Sequence, residues 1–229
     1  MKITFISDTH NKHRKLTEHI AAQRPDVLCH TGDFTSDGTF AEIDAFANWC
    51  AMLLAKGYAR HIVVVAGNHE IDLDETHPRT TGTQRTKIAR ERLLAAGVTY
   101  LQDTGTVIEG VDFFGVPWTP KFYDWAFQIR SDDQDEQVFH LGIEPDVLLT
   151  HGPPTAYHDL TSAGNIGSDA LHRLVMAKRP RIHAFGHLHR HYGMTLLEPD
   201  DEGSVLLVNA AICDDENRAT RLPITVTLT

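Results

Sequence analysis

Seven side chains suited to holding metal ions follow five apolar runs of the 229-residue chain. Ile3 to Ser7 leads into Asp8-Thr9-His10, Val27 to Thr31 into Gly32-Asp33, and Ile62 to Ala66 into Gly67-Asn68-His69-Glu70. Val147 to Thr150 leads into His151-Gly152-Pro153-Pro154, and Ile182 to Phe185 into Gly186-His187-Leu188-His189. The candidate ligands are Asp8, His10, Asp33, Asn68, His151, His187 and His189. They offer oxygen and nitrogen donors with no thiolate. That set suits Mn, Fe or Zn rather than a structural thiolate zinc site or an all-oxygen Mg or Ca cage. Asp-x-His and His-x-His place side chains i and i+2 on the same side of an extended chain, so both reach one cluster. Glycines before Asp33, Asn68 and His187 permit tight turns and close backbone approach.

Each motif alone is ordinary. A Gly-Asp or Asp-x-His after a strand is more often a turn or a helix cap than a ligand pair, and His-Gly-Pro-Pro alone is a rigid turn. The conjunction decides, because the other histidines form no comparable cluster. His13, His30, His140 and His183 are among those read as surface or satisfied core residues. His158 and His191 lie near the crevice by sequence and stand as substrate-contact candidates.

The apolar runs are short, rich in Val, Ile and Leu, and bounded by Gly, Asp or Asn, which marks buried strands. They cover Lys2–Ser7, Asp26–Thr31, His61–Ala66, Asp146–Thr150 and Arg181–Phe185. Helical spacing from Leu16 to Ile20 and from Phe40 to Leu54 separates the first three, so the chain opens as βαβαβ with parallel strands. Ile88–Ala96, closed by Gly97, and Ala170–Ala177 are further helices. Ligands of α/β sheets bind beyond the carboxyl ends of the strands, so all five motifs are expected at one crevice. Gly105–Val116, Tyr192–Leu197, Val205–Asn209 and Ile224–Leu228 read as strands of a second, more antiparallel sheet. Ile71–Arg85 and Asp159–Gly167 read as loops. With no repeat or linker, one domain over 1–229 is expected.

A formal charge of −10 argues against holding a long nucleic acid, which is gripped through Lys and Arg patches. It leaves a small phosphoester open, since bound cations reverse the local field. No run approaches the ~20 apolar residues of a membrane span, and Met1 leads directly into the first motif with no room for a signal peptide. The three cysteines are irregularly spaced, and Cys29, inside an apolar run, reads as a small buried hydrophobe rather than half of a disulfide, which suggests a reducing compartment, the cytoplasm.

In order and spacing, Asp-x-His, Gly-Asp, Gly-Asn-His-Glu, a single His after a strand and Gly-His-x-His resemble the calcineurin-like metallophosphoesterase superfamily. Phe114-Gly115-Val116-Pro117-Trp118-Thr119-Pro120, with Trp125, Phe127 and Val208-Asn209-Ala210, is similar to its MPPED-type (metallophosphoesterase-domain-containing) branch. The resemblance implies a four-layer α/β/β/α sandwich of two mixed sheets. It implies two divalent ions, one held by Asp8, His10 and His189, the other by Asn68, His151 and His187, with Asp33 bridging. Here the chain departs from the protein phosphatases, which extend Gly-Asp with an Asp and an Arg. Gly32-Asp33 continues as Phe34-Thr35-Ser36-Asp37, which leaves the orienting partner of His69 open.

The expected chemistry is phosphoester hydrolysis by a hydroxide bridging two metals. His69, beside Asn68, is the candidate general acid, with bracing of Asn68 as its alternative role. No Arg lies inside the five motifs, and a doubly charged monoester usually calls for an Arg fork. That favours a phosphodiesterase on small substrates such as cyclic nucleotides, with Trp118, Phe122 and Trp125 as candidates for a base-binding wall. Three other readings stay open: a broad phosphomonoesterase, a nuclease on short strands, and a nucleotide-binding regulator that keeps the metals without turnover.

Overall fold

In a computed structural model, residues 1–139, 142, 144–162, 164–197 and 203–229 are described, so His140 lies outside the described residues. One sheet holds β1 (Lys2–Ile6), β2 (Val27–Thr31), β3 (His61–Val65), β4 (Thr99–Leu101) and β15 (Ile224–Thr227), in the order β15-β1-β2-β3-β4. The second holds β5 (Thr104–Ile108), β6 (Val111–Val116), β9 (Val147–Thr150), β12 (Ile182–Phe185), β13 (Gly193–Leu197) and β14 (Val205–Asn209), in the order β13-β14-β12-β9-β6-β5. Two-residue ladders join β7 (Thr119–Pro120) to β8 (Gln128–Ile129) and β10 (Leu160–Thr161) to β11 (Gly164–Asn165).

Alternation along the strands sends side chains to two different cores. Ile3, Phe5, Cys29 and Val63 of the first sheet meet Phe113, Leu149, Ala184 and Val208 of the second in a buried layer between the sheets. The opposite face of the first sheet packs Leu28, Ile62 and Val64 against helices α1 (Thr17–Gln23), α2 (Phe40–Ala55) and α3 (Arg85–Ala95). The outer face of the second packs Leu148, Phe185 and Leu207 under Leu171, Leu174 and Val175 of α5 (Asp169–Lys178), beside α4 (Asp132–Val138). The layers therefore run α/β/β/α, as expected. Cys29, Cys50 and Cys213 are all buried free thiols. No helix among the described residues is long and apolar enough to cross a membrane.

Helix α2 shows why these segments close where they do. Thr39 caps its first turn by accepting from the Glu42 N–H, and the Glu42 carboxylate accepts from the Thr39 N–H, a reciprocal capping box. Its buried face, Ile43, Phe46, Ala47, Cys50 and Leu53, keeps the helical period.

Strand membership differs from expectation at three places. β9 and β12, read with the first parallel set, pair with each other and with β6 and β14 in the second sheet. β15 pairs antiparallel with β1 instead of joining the second sheet, with the Thr4 and Thr225 hydroxyls 2.8 Å apart. Segment 105–116 is a hairpin, because Glu109 and Gly110 take positive φ and turn the chain between β5 and β6. A short 3-10 helix at Ile71–Leu73 and the β10–β11 ladder lie in the two segments read as loops.

Candidate metal centre

The carboxyl ends of β1, β2 and β3 on one sheet and of β9 and β12 on the other face a common crevice. The backbones there turn sharply. Asp8, His10, Asp33 and His187 all have left-handed φ, between 39° and 65°, a conformation L-residues rarely hold without compensation. Compensation is visible. The Asp8 N–H donates to the Gly32 carbonyl at 2.9 Å and the His10 N–H to the Asp33 carbonyl at 3.0 Å. The His187 N–H donates to both Asp8 carboxylate oxygens, at 3.1 and 3.0 Å. Gly186 is required by this approach, because a methyl group there would collide with Ser7 Oγ and Asp8 Oδ2.

All seven expected ligands come together, in two groups. The ligand atoms of Asp8, His10 and His189 lie within 4.8 Å of one another, and so do those of Asp33, His151 and His187. Asn68 Oδ1 sits 3.0 Å from His151 Nε2, at the second group. Asp33 also groups with His10 and His69, so its carboxylate stands between the two sets.

Backbone carbonyls set the tautomers of three rings. The Nδ1–H of His10 donates to Thr35 O at 3.1 Å, that of His151 to Thr31 O at 2.8 Å and that of His189 to Asp214 O at 2.9 Å. In the neutral ring each Nε2 is then a lone-pair donor aimed into the crevice, the arrangement a metal-binding imidazole needs. Donor chemistry, tautomers and the two groupings therefore all fit a pair of divalent cations.

Without cations the centre is an array of opposed charges. Burial works against ionisation of Asp8, yet hydrogen bonding and charge from His189, with His189 Nε2 3.4 Å from Asp8 Oδ1, hold its carboxyl below the usual range. Burial likewise opposes the Asp33 carboxylate, and the charge of His151 outweighs it, with His151 Nε2 3.3 Å from Asp33 Oδ2. The partners move the other way. Burial disfavours protonated His151 and His189, but Asp33 and Asp8 respectively push them up to about 9. For His187, burial and the neighbouring His151 outweigh the charges of Asp33 and Asp8 and lower it to about 4.

His69 lies at the open side of the centre. Its Nδ1–H donates to the Ser36 carbonyl at 2.5 Å, so a backbone oxygen, not Asp37, orients the ring. Its Nε2 is 3.8 Å from Asp33 Oδ2. Glu70, to which the motif assigns no role, is fully buried beside these turns. Its carboxylate accepts from the Asp33, Thr35 and Gly67 N–H groups at 2.8, 2.9 and 2.6 Å and from the Thr35 hydroxyl at 2.8 Å. It clamps the turns after β2 and β3 together. His30 does the same for the turns after β1 and β2. Its Nδ1 accepts from the Gly32 N–H at 3.3 Å, so its Nε2–H donates to the Thr9 hydroxyl at 2.9 Å.

The aromatic candidates divide. Trp118 is turned away to donate to Asp103 and packs on Phe127, so it is no wall of the crevice. Trp125 stacks on His69, and Phe122 is exposed beside the crevice. His158 and His191 bond to backbone and to each other's segment, bracing the crevice edge.

The sequence pattern that defines the calcineurin-like phosphoesterases matches residues 1–191. The chain belongs to that family. Its members are metal-dependent phosphoester hydrolases with a dinuclear divalent-metal site. Along 99% of its length the chain is 30% identical to human metallophosphoesterase domain-containing protein 1, covering 71% of that protein. A Caenorhabditis elegans UPF0046 protein, K07C11.7, is 32% identical over 98% of the chain and 74% of its own length. Among solved structures, the phosphopantetheinyl hydrolase of Mycobacterium tuberculosis shares the fold, with a TM-score of 0.55 at 14% identity over 94% of this chain and 90% of that one. The membership also accounts for the MPPED-type likeness of the Phe114–Pro120 segment.

Proposed function

We propose that this metallophosphoesterase is a phosphodiesterase on small diesters such as cyclic nucleotides. The observation that carries the reading is the seven-residue crevice together with the state of the cations at its rim. Arg190, the guanidinium nearest in sequence, is paired with Asp215, and Lys12 donates to the His10 carbonyl at 3.0 Å. A dianionic monoester would call for an Arg fork that stays free to grip it, whereas a singly charged diester does not.

In this reading Asp8, His10 and His189 hold one ion, Asn68, His151 and His187 the other, and Asp33 is shared. Manganese, iron or zinc suits the donors. When bound, such ions supply Lewis acidity to the phosphoryl oxygens and lower the pKa of a water toward about 7. The protein's own contribution beyond the ligands is at His69. With Nδ1–H committed to Ser36 O, Nε2 is the atom that carries a transferable proton toward the leaving oxygen. That atom lies 3.8 Å from Asp33 Oδ2, at the edge of the seven-residue crevice. Three buried free cysteines suit a reducing compartment such as the cytoplasm.

The test is hydrolysis of bis-p-nitrophenyl phosphate against p-nitrophenyl phosphate by one Mn²⁺-loaded preparation. The diester should turn over faster. A monoester rate well above the diester rate would overturn the substrate assignment while leaving the phosphoesterase class intact.

A further inference from the structure

We infer that a groove beside His187 and His189 seats the organic group that stays esterified to the phosphate after hydrolysis, and that this retained arm is an uncharged ring. The inference rests on the phosphodiester reading and narrows it.

The groove has a volume of about 760 Å³, within the range of small-molecule sites. His187 and His189 form part of its wall, so it is continuous with the metal centre. Phe122, Leu160 and Leu188 also line it. Phe122 is 54% exposed and Leu160 63%, and large apolar side chains gathered on a surface mark a place where a ligand covers them. The Tyr123 ring meets Phe122 edge-on, with centroids 4.5 Å apart, backing one side.

The opposite wall is fixed to the metal-binding turn. The His191 Nε2–H donates to the Leu160 carbonyl at 2.6 Å. The His158 Nδ1–H donates to the His191 carbonyl at 2.7 Å, and its Nε2 accepts from the Thr195 hydroxyl at 2.9 Å. Leu160 is therefore held against the turn that carries His189, which preorganises the wall at little cost on binding.

Charge excludes an ionised arm. Arg190 and Asp215 both line the groove and pair with each other, so among its described lining residues no Arg or Lys stands free for a second phosphate or a carboxylate. Placement selects the retained arm. His69 and Trp125 stack on each other and neither lines this groove, so the oxygen protonated by His69 departs away from it.

The experiment uses p-nitrophenyl diesters whose second arm is methyl, phenyl, 1-naphthyl or 4-carboxyphenyl. p-Nitrophenolate leaves without protonation, which isolates the second arm. The kcat/KM of the naphthyl ester should exceed that of the methyl ester by roughly tenfold to a hundredfold, and the carboxyphenyl ester should fall below phenyl. Phe122→Ala and Leu160→Ser should each cut the naphthyl preference several-fold, whereas Leu94→Ser, on the exposed face of α3, should leave it in place. In metal-free protein, methyl 1-naphthyl phosphate should shift the NMR methyl signals of Leu160 and Leu188 but not those of Leu94. Equal rates for methyl and naphthyl esters, a favoured carboxyphenyl arm, or unmoved Leu160 signals would sink the groove alone. No turnover of any diester, methyl included, would remove the phosphodiester reading and the groove with it.

Discussion

The indole of Trp125 lies against the imidazole of His69, with ring centroids 4.1 Å apart and planes tilted by 36°. The segment carrying the indole is anchored from behind. The Phe127 N–H donates to Asp74 at 2.8 Å, and the His77 Nε2–H donates to the Asp124 carbonyl at 3.0 Å. Trp125 is thus a positioning residue, holding the face of His69 while Ser36 holds its edge.

Removing the indole should matter most where the leaving oxygen needs a proton. Trp125→Ala should lower kcat on alkyl diesters by roughly tenfold to a hundredfold, with little change on p-nitrophenyl esters, and Trp125→Phe should restore most of it. Equal losses on both ester types would indicate general disruption of the site instead.

His69→Ala should keep both ions and lose most turnover of the same alkyl substrates. Metal content by mass spectrometry and rates on alkyl against aryl esters separate the two roles. A variant that loses one ion would make His69 a ligand, consistent with its grouping beside His10 and Asp33.

Much of this centre was readable from the chain because its seven candidate ligands sit directly beyond apolar strands, where residue type and position speak together. Sheet membership was not readable in the same way. Val147–Thr150 and Ile182–Phe185 look like Ile62–Val65 in composition, and only the hydrogen bonds of β9 and β12 to β6 and β14 assign them to the other sheet. Glu70 shows a different limit. Its place beside Asn68 was visible, but a carboxylate in a metal motif does not declare whether it faces a cation or backbone amides. Trp118 and Trp125 stand seven positions apart in one aromatic segment, both half-buried, and only the bond of one to Asp103 and the contact of the other with His69 distinguish them.

The Glu70 clamp yields a stability prediction. Glu70→Ala would strand three buried N–H donors and one hydroxyl, and losing a charge-assisted network of this kind costs roughly 3 kcal/mol or more. Thermal unfolding of the metal-free form should show a marked drop in midpoint, and metal affinity should fall because the Asp33 turn is released. An unchanged midpoint would mean that water replaces the carboxylate there.

Chelation should make stability depend on alkaline pH. His151 and His189 have folded pKa values pushed up to about 9, against about 6.5 in an unfolded chain. Between those values the folded state binds more protons, so their contribution is complete below about pH 6.5 and is lost as pH rises through about 9. Metal-free protein should therefore weaken from pH 7 to 9. Metal binding at pH 7.5 should release protons from both rings, seen in calorimetry as a binding heat that varies with buffer ionisation enthalpy. A heat independent of buffer would contradict the charged state of these rings.

On the acid side the sign reverses, and His183 isolates it away from the metals. The Thr150 hydroxyl donates to the Gly152 carbonyl at 2.7 Å, so it accepts from the His183 Nε2–H at 2.8 Å, while His183 Nδ1 has no hydrogen-bond partner among the described residues. Complete burial lowers the His183 pKa to about 3. Between about 6.5 and 3 the unfolded chain takes up a proton that the folded protein refuses, so stability falls with pH by up to about 1.4 kcal/mol per unit for this one ring. His13 and His30, lowered by burial to about 4 and about 3, add to the same slope. His183→Gln keeps a donor toward Thr150 and removes the titration. Urea unfolding of metal-free protein between pH 6.5 and 5 should show its slope reduced by close to one proton relative to the wild type. An identical slope in the two proteins would mean that His183 takes up its proton while folded.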